Sequence, residues 1–221
     1  MKVVIVANGE IKDYDYTRLI LKDCDYILAC DGGLKHCLKM GTVPDYIIGD
    51  LDSATRDILD IYPDVPVLRF SPEKDQTDLE LAVALACDIL KENVLGLECK
   101  GTVSLVILGG LGGRFDHQLA NAHVLAQALE RGVNAELRDE NTKVRLINNA
   151  CRLCKQDGIL VTLVPLTTTV EGIVTEGLQY SLKDESLSIG FARGVSNQIA
   201  DEWAVISIKS GLLFVIQVKA D

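Results

Sequence analysis

The sequence is short of positive charge: its 221 residues carry 22 lysines and arginines against 32 aspartates and glutamates, a formal net charge of −10. Binding along a phosphate backbone needs concentrated Lys and Arg, so no nucleic-acid partner is expected. Long apolar runs are missing as well. No window holds the ~18 consecutive apolar residues of a membrane span. The opening "MKVVIVANGE" breaks at Asn8-Gly9, without the longer apolar region and small-residue cleavage site of a secretory signal. Neither a membrane nor an export route is therefore expected. The seven cysteines form no paired Cys-x-x-Cys set at zinc spacing, because "CRLC" at Cys151 to Cys154 stands alone. Reduced thiols in a cytoplasmic protein are the simpler reading. Two nucleotide signatures are also absent. There is no G-x-x-x-x-G-K-[ST] phosphate loop, and after Gly110 and Gly112 a dinucleotide fingerprint would need glycine where Phe115 stands.

What is present has ordinary globular composition, 48% hydrophobic and 24% charged, in a chain long enough for one large domain or two small ones. From Lys2 to about Arg131, the short apolar runs "KVVIVA", "DYILAC", "DYIIG", "VPVLRF" and "SLVILGG" alternate with helical patterns. Continuous apolar runs of strand length mark strands buried on both faces of a parallel sheet. The clearest helix is "TDLELAVALACDILKEN", where Leu79, Ala82, Val83, Ala86 and Leu90 keep helical spacing and Thr77 with Glu80 forms a capping box. A second, "DHQLANAHVLAQALERG", stops at Arg131-Gly132. Strands alternating with helices predict an open α/β sheet over 1–145. Beyond it, "GILVTLVPL", "WAVISIKSG" and "LLFVIQVK" are rich in Val, Ile and Thr without helical period, which predicts a small all-β sandwich over 146–221.

Ligands of an open parallel sheet bind beyond the carboxyl ends of its strands, where loops and helix N-termini converge. Acids collect at that edge. "ILACDGG" ends at Asp31, "YIIGDLDS" at Asp50 and Asp52, "SPEKDQTD" carries Asp75 and Asp78, and "LVILGGLGGRFDH" ends in Arg114, Asp116 and His117. Residues two apart in extended chain project to one side, roughly 6.5 to 7 Å between Cα atoms. Asp50 and Asp52 therefore suit a shared Mg²⁺, which takes one or two carboxylates and fills its other positions with phosphate oxygens and water. For a lone D-x-D-S the simpler reading is that Asp52 or Ser53 caps a helix beginning at Ala54. Repetition at several strand ends points to a site. The planar fork of Arg114 suits phosphate oxygens. His36 and His123, in helical patterns, read as packing or surface residues.

Taken together, "CDGG", "PDYIIGDLDS", "KDQTDLELA", "GGLGGRFDH" and "GVSN" resemble, in order and approximate spacing, the motifs of the thiamine pyrophosphokinase family, over nearly the whole chain. The resemblance implies a homodimer with the active site in a cleft between subunits, each subunit having an α/β nucleotide-binding catalytic domain and a β-sandwich domain for thiamine binding and dimerisation. It implies a Mg²⁺-dependent transferase that moves pyrophosphate from ATP to the hydroxyl of thiamine, giving thiamine pyrophosphate and AMP. A Mg²⁺-dependent phosphohydrolase or another phosphotransferase using the same acids is the alternative. Carried over, Asp50, Asp52 and Asp78 resemble metal ligands, with Asp116 completing the acidic cluster. Gln76 and Thr77 would line the nucleotide, and Asp31, Gly32 and Gly33 would close one side of its pocket. Arg114 and His117 would meet phosphates, and Asp78 or Asp75 would take the hydroxyl proton. Ser196 and Asn197 match the pair near thiamine, whose aromatic partner is Tyr180 or Trp203.

Overall fold

The computed structural model describes residues 1–50, 59–71, 75–93 and 104–220. Two compact units divide the chain, Met1–Glu140 and Asn141–Asp221. The sheet of the first unit contains β1 (Val3–Val6), β2 (Tyr26–Cys30), β3 (Tyr46–Gly49), β4 (Val67–Arg69), β5 (Leu105–Leu108) and β6 (Ala135–Arg138). Their spatial order is β6-β5-β1-β2-β3-β4, and every pairing is parallel. Four helices accompany them among the described residues: α1 (Tyr14–Leu21), α2 (Gly33–Met40), α3 (Asp78–Asn93) and α4 (Phe115–Glu130).

The apolar runs of β1, β2, β3 and β5 behave as their composition requires, whereas "VPVLRF", expected to be buried on both faces, forms β4 at the end of the strand order with Val67 and Arg69 exposed. All four residues of β1 are 0% exposed, which takes both faces of the strand to be covered. Val4 and Val6 pack with Ala29, Ile47, Val106 and Leu108 against Ile20 and Leu21 of α1 and Leu34, Cys37 and Met40 of α2. The alternate residues Val3, Ile5, Leu28, Leu105 and Ile107 are buried too. α3, which touches β1, β2 and β3, brings its apolar stripe of Leu79, Ala82, Val83 and Ala86 to the sheet. Each buried Val, Leu or Ile side chain contributes roughly 1.5–3 kcal/mol.

The second unit holds β7 (Thr142–Ile147), β8 (Ala150–Cys154), β9 (Ile159–Pro165), β10 (Thr169–Glu176), β11 (Lys183–Ser188), β12 (Asn197–Gln198), β13 (Trp203–Ser207) and β14 (Leu213–Lys219). The strands β12-β9-β14-β7 run side by side in one sheet and β11-β10-β13-β8 form the other, with antiparallel pairing inside this unit. Ile147, Val161, Leu163, Leu213 and Val215 from the first group share one core with Leu153, Val170, Ile173, Leu187, Ala204 and Ile206 from the second. Two sheets closed over a common apolar layer make a sandwich. β7 already belongs to this unit, so the division lies a few residues before the change of pattern near residue 145.

Candidate active site

The chain enters the first sheet at β1, moves outward through β2 to β4, and returns on the other side of β1 as β5. Loops leaving β1 and β5 diverge at this reversal, which opens the crevice where α/β sheets bind ligands. A cavity of about 620 Å³ lies there. Its wall is built from Ala7 to Glu10 after β1, Asp31 after β2, Thr77 to Leu79 at the start of α3, and Gly109, Gly112 and Gly113 after β5. Arg114, Asp116, His117, Ala120 and Asn121 add the start of α4.

Two helices thus aim their N-termini at one cavity, an arrangement suited to anions. α3 is capped as its T-x-x-E spacing predicts: the Thr77 N–H donates to Glu80 Oε2 at 2.6 Å and the Glu80 N–H donates to Thr77 Oγ1 at 3.2 Å. Residue Arg114 is the N-cap of α4, and its side chain makes no cap hydrogen bond. Instead its fork grips Asp116, Nε donating to Oδ1 at 3.1 Å and Nη2 to Oδ2 at 2.6 Å. Those bonds are the main cause holding the Asp116 carboxyl below its usual range. The pair is exposed, so a phosphate group can take over the fork without a large desolvation cost. From α4, Asn121 Nδ2 donates to the Gly110 carbonyl at 2.9 Å and Gln118 Nε2 to the Gly113 carbonyl at 2.9 Å, which tethers the glycine loop to the helix.

The acids come together around Gly49. A Cβ built there would stand 3.3 Å from Asp31 Cβ and 3.3 Å from Asp78 Cγ, and its φ of +145° suits glycine. Asp50 follows directly. Asp31 itself sits at φ +47°, an uncommon conformation for a residue with a side chain. Its Oδ2 accepts from Asn8 Nδ2 at 3.4 Å, and its Oδ1 is buried with no hydrogen-bond partner among the described residues. An orphaned carboxylate oxygen calls for a donor or a cation. Among the described residues no three His, Cys, Asp or Glu side chains form a ready-made metal cage. A carboxylate pair completed by phosphate and water, as Mg²⁺ takes, fits the acids present better than an all-protein cage.

The sequence-predicted residues therefore divide. Asp31, Thr77, Asp78, Arg114, Asp116 and His117 line the cavity, and Asp50 stands beside it through Gly49. Asp75 and Gln76 are exposed and outside the lining, whereas Gly32 and Gly33 are buried behind Asp31. Asp52 lies outside the described residues. Asn8, Gly9, Glu10 and Asn121 were missed: a search for acids overlooks amides and backbone, and Glu10 is a single acid outside the clusters of acids at the other strand ends. The break of "KVVIVA" at Asn8-Gly9, beside the reversal of strand order, was the available signal.

In the second unit the Tyr180 N–H donates to Asn197 Oδ1 at 3.1 Å and Asn197 Nδ2 returns a bond to the Tyr180 carbonyl at 2.7 Å. The Ser196 N–H donates to Thr162 Oγ1 at 3.0 Å. Tyr180 is 67% exposed, while the Trp203 ring is covered by the Arg152 guanidinium in a different cavity of about 460 Å³ with Glu176, Asp201 and Glu202. Tyr180 is thus the aromatic residue that stands with the Ser-Asn pair.

Fold and cavity together define an α/β protein with an acid-edged, anion-seeking crevice at the switch point of a parallel sheet, continued by a β-sandwich. The family model described as the thiamin pyrophosphokinase catalytic domain matches residues 17–137, and that for the thiamin pyrophosphokinase vitamin B1 binding domain matches residues 150–213. The chain belongs to the thiamin pyrophosphokinase family. Thiamine pyrophosphokinase 1 of Arabidopsis thaliana is 28% identical over 192 residues, covering 80% of this chain and 66% of its own length. The thiamine pyrophosphokinase of Bacillus subtilis (strain 168) is 25% identical over 194 residues, covering 86% of each. This chain thus spans about two thirds of the Arabidopsis relative and most of the Bacillus one. The same fold appears in the crystal structure of the Bacillus subtilis enzyme, with TM-score 0.83, 23% identity and 99% of both chains covered. Yeast thiamin pyrophosphokinase superposes with TM-score 0.77 at 18% identity, covering 98% of this chain and 86% of that one.

Proposed function

We propose that the protein transfers the pyrophosphoryl group of ATP to the hydroxyethyl oxygen of thiamine, giving thiamine pyrophosphate and AMP. The observation that carries this reading is the succession of matches to a thiamin pyrophosphokinase catalytic domain and a vitamin B1 binding domain in one chain. The cavity supports it, since two helix N-termini and Arg114 suit a polyphosphate. The thiamine oxygen attacks the β-phosphorus, the bond from that phosphorus to the oxygen bridging toward the α-phosphate breaks, and AMP leaves. Of the two candidate proton acceptors, Asp78 lines the cavity and Asp75 does not, so Asp78 takes the hydroxyl proton. Arg114 exchanges Asp116 for phosphate oxygens and balances their charge.

Asp50 and Asp78, with Asp52, would hold a Mg²⁺ ion, which when bound neutralises phosphate charge. Little covalent chemistry is asked of the protein; its task is positioning and electrostatic complementarity. Tyr180, Ser196 and Asn197 form the thiamine-binding surface, two copies of the chain form the working dimer, and the free thiols suit a reducing cytoplasm. No helix among the described residues is long and apolar enough to cross a membrane. The test is incubation with ATP, Mg²⁺ and thiamine, followed by chromatography of both product sets. AMP should appear in step with thiamine pyrophosphate. ADP with thiamine monophosphate, or phosphate released without thiamine, would replace this reading with a different phosphotransferase or a hydrolase.

A further inference from the structure

We propose that His36, oriented by Tyr14, is the positioning residue for the Asn8–Glu10 turn, and through that turn for Asp31 and the glycine loop of the nucleotide cavity. The inference rests on the cavity being the nucleotide site of the proposed reaction. His36 touches no substrate position; it lies on α2 and is absent from the cavity wall. Its Nε2 is 2.9 Å from the Gly9 carbonyl and its Nδ1 is 2.7 Å from the Tyr14 hydroxyl. A carbonyl oxygen only accepts, so Nε2 carries the proton. In the neutral ring Nδ1 is then bare and accepts from the Tyr14 O–H. The two bonds form one directed relay from α1 through α2 to the turn. Burial, with Lys39 and Lys35 nearby, pushes the imidazole toward its neutral form, which keeps this direction.

The held peptide is the point where three loops meet. The Gly9 N–H donates to the Gly109 carbonyl at 2.8 Å, so one residue is fixed by His36 on its oxygen and by the β5 loop on its nitrogen. The approach is too close for any side chain, since a Cβ on Gly9 would stand 2.3 Å from Gly109 O and 2.9 Å from Gly112 O. One residue earlier, Asn8 donates to Asp31 and packs its Oδ1 over Gly32. Rotation of the Gly9 peptide would therefore move Asp31 and the glycine loop together.

The test uses the full-length protein with His36→Leu, His36→Gln and Tyr14→Phe. Calorimetry with Mg²⁺ and an α,β-methylene ATP analogue, whose scissile bridge is blocked, should show His36→Leu binding about ten-fold more weakly, in line with one lost hydrogen bond in a preorganised site. Tyr14→Phe should lose part of that affinity. His36→Gln should recover most of it, because its amide nitrogen reaches the place of Nε2. In steady state the loss should fall on KM for ATP, with KM for thiamine unchanged. Imidazole ¹⁵N spectra of the wild type should show a protonated Nε2 and a bare Nδ1. Wild-type affinity in both His36→Leu and Tyr14→Phe, whatever their unfolding temperatures, would overturn the proposal, as would the opposite tautomer. If His36→Leu does not fold, Tyr14→Phe alone decides, since it removes one hydroxyl. A wild type that binds the analogue but makes no AMP from ATP and thiamine removes the catalytic reading and leaves this test standing; one that binds no analogue removes the inference itself.

Discussion

At the scale of single residues, Gly49 is favoured twice over, by its backbone angle and by the Asp31 and Asp78 side chains that would crowd a methyl there at 3.3 Å. Gly49→Ala adds a methyl in a region unfavourable to side chains, with an expected stability loss of about 1–3 kcal/mol in urea unfolding. Because the methyl presses on Asp31 and Asp78, turnover should fall further than the unfolded fraction explains. Gly41→Ala, at another positive φ but with open space around it, should cost stability and leave turnover intact. Arg114 gives the converse separation. Its side chain is exposed and, among the described residues, paired with Asp116 alone, so Arg114→Ala should leave the unfolding midpoint unchanged. The rate of AMP formation should drop by about 10²–10³, as when one preorganised donor to transition-state charge is removed. Arg114→Lys should restore little, because a point charge does not reproduce the fork.

At the scale of elements, α3 joins packing to function. Its apolar stripe fixes it on the sheet, and its capping box fixes where its first turn begins, at the cavity wall. Thr77→Ala removes half of that box and should cost about 1 kcal/mol of stability, with a raised KM for ATP as the first turn frays. This element was legible in the sequence because local rules govern it. The strands β1, β2, β3 and β5 were legible for a similar reason, since double burial demands continuous apolar runs. β6 was not. Its Glu136 is 1% exposed and paired to Arg138 at 3.1 Å, so a mostly buried strand carries charges that break the pattern. The site divided along the same line. Acids at strand ends announce themselves, whereas Asn8, Asn121 and His36 act through hydrogen bonds to partners far along the chain, which spacing does not display.

At the scale of the whole molecule, the charge of −10 acts unequally on the two proposed substrates. Thiamine is a cation and should be drawn in, while the nucleotide is an anion held off except at the helix N-termini. Raising ionic strength from about 0.01 M to about 1 M shortens the screening length from ~30 Å to ~3 Å. KM for thiamine should therefore rise with salt while KM for ATP stays level or falls. A rise in both would assign substrate entry to local contacts alone. The strand order has a different consequence, in time. β1 to β4 are made first, yet the crevice wall needs β5, and the Gly9 N–H meets its partner on Gly109 only after most of the unit has been translated. At about 5–20 residues per second, that delay is on the order of 5–20 seconds on the ribosome. The candidate site is thus completed late in the making of the first unit, and a ribosome-stalled fragment ending before β5 has four of that unit's six described strands and no closed crevice.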